Sequence, residues 1–111
     1  MPLNAKNKGA EGEREAASFL NSLLPWMDAK RGRQFSGGED SPDVTHNCPF
    51  IHIEVKRVEK PTFNAWAKQL TKDQGKRIGI IMYRCNRGEW WFCVRGTEVI
   101  ALINKLQGFL K

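Results

Sequence analysis

Asp43, Glu54 and Lys56 are the residues whose types and spacing could do chemistry. Ser41-Pro42-Asp43 is followed, after ten intervening residues, by Glu54-Val55-Lys56. Successive side chains of an extended strand alternate between faces, so Glu54 and Lys56 point one way while Val55 points into the core. Pro42 fits the start of a strand, where its missing N–H costs least. If the strand beginning at Asp43 turns back and pairs with the strand around Glu54, two carboxylates and one ammonium converge on one end of a sheet. Two like charges about 4 Å apart repel by about 4 kcal/mol at an effective dielectric of 20. A fold keeps such a cluster when a cation belongs there, and hard oxygen ligands suit Mg²⁺ or Mn²⁺. An ion held by Asp43 and Glu54 would polarise a phosphate and lower the pKa of a bound water. Lys56 would orient that water, help deprotonate it, or stabilise charge developing on the phosphate.

The elements around these residues must bring them together. Residues 10–24 (AEGEREAASFLNSLL) read as a helix with Ala16, Ala17, Phe19, Leu20, Leu23 and Leu24 on an apolar stripe. Glu13 falls in line with Ala17, Leu20 and Leu24. It is therefore either a partner for the helix N-terminal dipole or an inward functional group. Pro25 ends that region, and residues 27–35 read as a polar edge strand. The Gly37-Gly38 loop leads into a short strand over 43–45. Residues 50–58 form a strand with Ile51, Ile53 and Val55 on one face and His52, Glu54 and Lys56 on the other. Pro61-Thr62 opens a second helix carrying Phe63, Trp66, Ala67 and Leu70, stopped by Gly75. Residues 77–84 are a near-continuous apolar strand and hence central. Asn86-Arg87-Gly88 turns into a strand over 89–95. A final helix follows Gly96-Thr97 with Val99, Leu102, Ile103, Leu106, Phe109 and Leu110 as its stripe. The order is α-β-β-β-α-β-β-α, an α/β domain with a mixed central sheet of about five strands flanked by helices.

With 111 residues the chain reads as one domain, residues 1–111, with the polar segment 1–9 expected to fray. No apolar run reaches the length of a membrane-spanning helix, and no signal peptide is recognisable. Three cysteines without paired spacing suit a reducing compartment, so the expected location is the cytoplasm. The formal net charge of +6 is the footprint of a polyanionic partner. Lys68, Lys72 and Lys76 recur at i, i+4 and i+8 and read as a solvated face able to touch phosphates without reading sequence.

Taken in order, these motifs resemble the PD-(D/E)xK nuclease superfamily, and within it the archaeal Holliday junction resolvases and their phage-encoded relatives. Glu13-Arg14-Glu15 matches the family's opening helix. Arg31-Gly32-Arg33-Gln34-Phe35-Ser36-Gly37-Gly38 matches its basic strand and small-residue loop. Pro42-Asp43 and Ile53-Glu54-Val55-Lys56 match the motif itself, Gln69 is the nearest match to a later helix glutamine, and the similarity runs over residues 8–95. The resemblance implies a restriction-endonuclease-like core and a metal site of Asp43, Glu54 and Glu13, the last acting directly or through water. It implies Lys56 as catalytic lysine, Gln69 (or Lys68, one residue away) as the helix site residue, and Arg33 and Ser36 as phosphate contacts. DNA contacts are expected at Arg14, Lys30, Arg31, Arg57 and Lys60 as well. The cofactor is expected to be Mg²⁺, with Mn²⁺ able to substitute. The partner is DNA, above all the four-way junction, and a homodimer would give one active site to each of two symmetric strands.

Three other readings compete. His46, Cys48 and His52 lack the paired spacing of a structural zinc site. The aromatics Trp66, Trp90, Trp91 and Phe92 divide by alternation into a core set and an exposed set, the latter together with Phe63 or Trp66 forming a dimer surface or a stacking surface for bases. The same fold could also serve a nuclease acting on flaps or nicked duplex, or a basic DNA-binding module without catalysis.

Overall fold

A computed structural model of the chain describes residues 5–32 and 43–109; Arg33, Ser36 and the Gly37-Gly38 loop lie outside the described residues. Helix α1 covers Ala5–Leu23. It begins earlier than the stripe alone suggests, because Ala5, Lys6 and Lys8 are good helix formers and extending a nucleated helix costs little. Part of the segment expected to fray is therefore helical. Pro25 then opens a single 3₁₀ turn, Pro25–Met27, and Asp28 follows in the left-handed region at φ 46°, which aspartate tolerates better than most residues. This break delays the first strand, β1, to Lys30–Arg31.

Strand β2, Val44–Thr45, pairs antiparallel with β1, Lys30 opposite Thr45 and Arg31 opposite Val44. Among the described residues, the expected ladder between β2 and the strand of Glu54 is not formed. The described residues form five strands, but these divide into a two-stranded and a three-stranded sheet. The larger sheet orders β3 (Ile51–Arg57), β4 (Ile78–Arg84) and β5 (Trp91–Val94). β3 and β4 run parallel, linked through helix α2 (Phe63–Gln74), and β5 returns antiparallel. The apolar β4 is central, as its composition predicts. A 3₁₀ turn, Gly96–Glu98, leads into helix α3, Val99–Phe109.

Alternation along β3 separates two cores. Ile51 and Ile53 join Ile80 and Met82 of β4 beneath Ala16, Ala17 and Leu20 of α1, with Leu102 and Leu106 of α3 packed alongside. The opposite face carries a smaller cluster, Trp66 and Leu70 of α2 with Ile81, edged by Val58, Tyr83 and Cys93. Two glycines set how closely the helices approach. A Cβ on Gly12 of α1 would stand 2.7 Å from the Cβ of Arg57, and one on Gly79 of β4 would stand 2.7 Å from Leu70 Cγ and Gln74 Oε1. Each separation is far inside van der Waals contact, so each glycine lets a helix lie directly on the sheet.

Trp66 is a core residue, contacted edge-on by Phe63 at 4.7 Å between ring centroids, and so offers no surface to a partner. Trp90 and Phe92 lie against Phe19 of α1, while Trp91 points to the opposite face and is 57% exposed. Ile103 leaves the expected stripe of α3 and faces outward, as does Ile100, which is not part of it. Among the described residues no helix is long and apolar enough to cross a membrane.

Candidate functional site

The polar row of β3 lies beneath α2, which makes both faces of the strand inaccessible at its centre. His52 and Glu54 are 2% and 3% exposed. Their contact is long, His52 Nε2 to Glu54 Oε1 at 3.4 Å. Among the described residues, Glu54 Oε2 and His52 Nδ1 are buried without a hydrogen-bond partner. Lys56, next in the row, donates from Nζ to Gln69 Oε1 at 3.0 Å. It is thus Gln69, not the exposed Lys68, that α2 turns toward the strand. One helical turn further, Asp73 approaches the same row, and ligand atoms of His52, Glu54 and Asp73 all lie within 4.8 Å of one another.

Asp43 reaches the outer edge of β3 by its side chain. Its Oδ2 accepts a hydrogen bond from the Val55 N–H at 2.8 Å, taking the position a neighbouring strand's carbonyl would occupy. This one contact sets the carboxylate beside the backbone between Glu54 and Lys56. Burial pushes the Asp43 carboxyl above its ordinary pKa. The Val55 N–H, Lys56 and His52 pull it back down, and Asp73 adds to the rise.

Glu13 is buried and accepts from Arg31 Nε at 3.1 Å. Burial raises its pKa, the hydrogen bond from Arg31 opposes this, and Asp43 pushes it higher. Glu13 and Asp43 therefore share one electrostatic neighbourhood. Glu13 lies too far into the helix to partner its N-terminal dipole, since α1 begins at Ala5, two turns earlier. The expected ligand set of Glu13, Asp43 and Glu54 is nevertheless not drawn to common ligand distance among the described residues; the set of three that is drawn together is His52, Glu54 and Asp73. The reason is geometric. α1 covers the Ile51/Ile53 face, Glu54 lies on the other, and Asp43 stands at the edge between them.

The expected DNA contacts also divide. Arg14, Lys30 and Lys60 are exposed, Lys30 at 3.6 Å from Asp28. Arg31 is held by Glu13. Arg57 donates to Glu15 Oε1 at 3.0 Å and to Asn86 Oδ1, while Arg84 reaches Glu15 Oε2 at 3.2 Å. Glu15 and Arg57 are thus a brace between α1 and the sheet. Arg33 and Ser36 lie outside the described residues.

Sequence reasoning missed Asp73. The available signal was its position four residues after Gln69, on the same face of α2. His52 shares the strand face of Glu54 and Lys56, as alternation predicts, whereas the contact between His46 and Cys48 is local: the Cys48 N–H donates to His46 Nδ1 at 3.0 Å. The orphaned oxygen of Glu54 and the buried carboxyl of Asp43 are donors of the kind a divalent cation takes. No family model, curated protein or solved structure matches the chain.

Proposed function

We propose that the chain is a divalent-cation-dependent DNA endonuclease with a restriction-endonuclease-like core, acting on branched DNA as a Holliday junction resolvase. The observation that carries this reading is the Asp43 carboxylate on the Val55 N–H. It joins the two halves of the Pro-Asp … Glu-x-Lys motif at one strand edge, with Glu13 in electrostatic reach. Asp43 and Glu54 would hold Mg²⁺ or Mn²⁺, with Glu13 beside them. The bound cation supplies Lewis-acid polarisation of a phosphate and a more acidic water.

The chain's own residues do the rest. Gln69 fixes the Lys56 ammonium through one of its three donors and leaves two to face an incoming phosphate and the charge that develops on it. The Arg31–Glu13 pair keeps the α1 carboxylate turned toward Asp43 rather than into solvent. Arg14, Lys30 and Lys60 offer exposed positive charge to the backbone, which positions DNA without reading sequence. A homodimer would present two such sites to a two-fold junction, and the exposed Ile100 and Ile103 of α3 are among the apolar residues available to bury between copies.

A second reading has its own observation. On the Lys56 face of the sheet, Lys56 is in register with Tyr83, and Tyr83 with Trp91. Phe63 stands 5.8 Å from Tyr83 between centroids. Exposed rings beside the catalytic lysine suit unpaired bases, and hence flap DNA rather than a fully paired junction.

The test incubates purified protein with Mg²⁺ and a four-way junction, a flap or linear duplex. Symmetric paired nicks in the junction support resolvase, and cuts confined to the flap support the second reading. Binding without cutting of any substrate overturns the enzyme and leaves a basic DNA-binding module. Asp43→Asn and Lys56→Ala should abolish cutting and leave salt-sensitive binding intact.

A further inference from the structure

We propose that His52, Glu54 and Asp73 form a site for a first-row transition ion such as Zn²⁺ or Co²⁺. Two strand residues and one helix residue converge there, with ligand atoms within 4.8 Å of one another. Proximity of acids alone would mean little. The second observation is that His52 Nδ1 and Glu54 Oε2 are buried and unpartnered, on side chains 2% and 3% exposed. Leaving a buried polar atom unsatisfied is destabilising, and more so for a charged group. Their one mutual contact, at 3.4 Å, is too long to offset that.

The donor set identifies the ion. One imidazole and two carboxylates give a mixed nitrogen and oxygen site, and imidazole favours zinc and its neighbours while Mg²⁺ prefers oxygen alone. Three protein ligands also leave an open position for water or substrate. Asp73 is half-buried and comes from α2, so it marks the way in, whereas the strand residues form the floor. Gly79 holds this arrangement in place. It lies opposite His52 in the β3–β4 register, and its missing side chain lets the end of α2 that carries Asp73 settle onto the sheet. The spacing is not that of the His46, Cys48 and His52 set, and the ligands come from a strand and a helix rather than a turn. Glu54 would serve both this ion and the nuclease site, yet the inference does not require that the chain cut DNA.

The chain has two histidines, His46 and His52, so imidazole ¹⁵N resonances report the site directly. Zn²⁺ added to the metal-free protein should shift the His52 ring nitrogens and leave those of His46 in place. Co²⁺ should give visible d–d absorption of a nitrogen-ligated ion. His52→Gln and Asp73→Asn should each weaken Co²⁺ binding by about tenfold or more. Asp73→Asn changes a half-buried helix position and decides the matter if His52→Gln fails to fold. A shift at His46 alone, no shift at either ring, or Co²⁺ binding that both variants leave unchanged would overturn the site. Binding at His52 with no cleavage of any DNA would sustain the site and overturn the nuclease reading.

Discussion

The two faces of β3 are built on different principles. Toward α1 and α3 the strand presents Ile51 and Ile53 to an apolar core, and charges appear only at its rim, where Glu13 meets Arg31 and Glu15 meets Arg57 and Arg84. Toward α2 it presents His52, Glu54 and Lys56 in a row, and the apolar cluster there is small. Burial of apolar surface contributes roughly 25 cal/mol per Å², so the first face holds the fold together. The second holds buried polar groups that weaken the fold unless something binds them. Such an asymmetry separates the apolar core from the buried polar row within one strand, residue by residue.

The separation is sharpest if single substitutions affect one property and spare the other. Lys56→Met should lower cleavage by about 10²–10⁴-fold, the range for loss of a positioned proton-transfer group, with thermal stability nearly unchanged. A large loss of stability instead would mean that the Lys56–Gln69 contact is structural. Met82→Ala, on the other face and fully buried, should cost about 2–5 kcal/mol in chemical denaturation, while any cleavage remaining in the folded fraction keeps its metal dependence.

The paired glycines give a smaller and more pointed contrast. Gly12→Ala and Gly79→Ala should each cost about 1–3 kcal/mol through overpacking. Only Gly79→Ala should also weaken metal binding, because it lifts α2 and Asp73. Equal effects on metal binding would show that the two faces are not independent. Trp91→Ala should weaken binding to DNA with unpaired bases by about 1–3 kcal/mol and leave binding to duplex unchanged.

The smallest effect expected is on pH dependence. Burial raises both Asp43 and Glu13, so the folded chain holds their protons more tightly than the unfolded chain does. Their contribution to stability is fully present below the ordinary carboxylate values, near about 4, and is lost as pH rises through the elevated folded values. In chelator, melting temperature should therefore rise as pH falls from neutral into the mildly acidic range. Asp43→Asn should flatten that slope, and an unchanged slope would mean Asp43 is not desolvated.

Much of this was legible in the sequence, for reasons that can be named. The alternation of Ile51, His52, Ile53 and Glu54 separates the two faces of β3, because strand periodicity is a local property. The apolar run of β4 marks the centre of the sheet, and Gln69 is singled out by the resemblance alone, with Lys68 as its alternative. Pairing was not legible. That β2 pairs with β1, while Asp43 just before it reaches β3 through a side-chain hydrogen bond, depends on long-range contacts that spacing does not encode. Asp73 escaped because an acid near a helix end ordinarily reads as solvated. Its role depends on how deeply α2 settles, and that is set by Gly79 on another element.

The Asp43 contact has one more consequence. Among the described residues β3 borders its sheet, and a border strand offers its N–H groups as a template for strands of other molecules. By occupying the Val55 N–H, the Asp43 carboxylate acts as a stopper against such chain-to-chain growth. An asparagine can still accept that hydrogen bond, whereas an alanine cannot. Asp43→Ala protein should therefore form higher assemblies on storage while Asp43→Asn stays monodisperse, so the motif's aspartate also guards the solubility of the strand it serves.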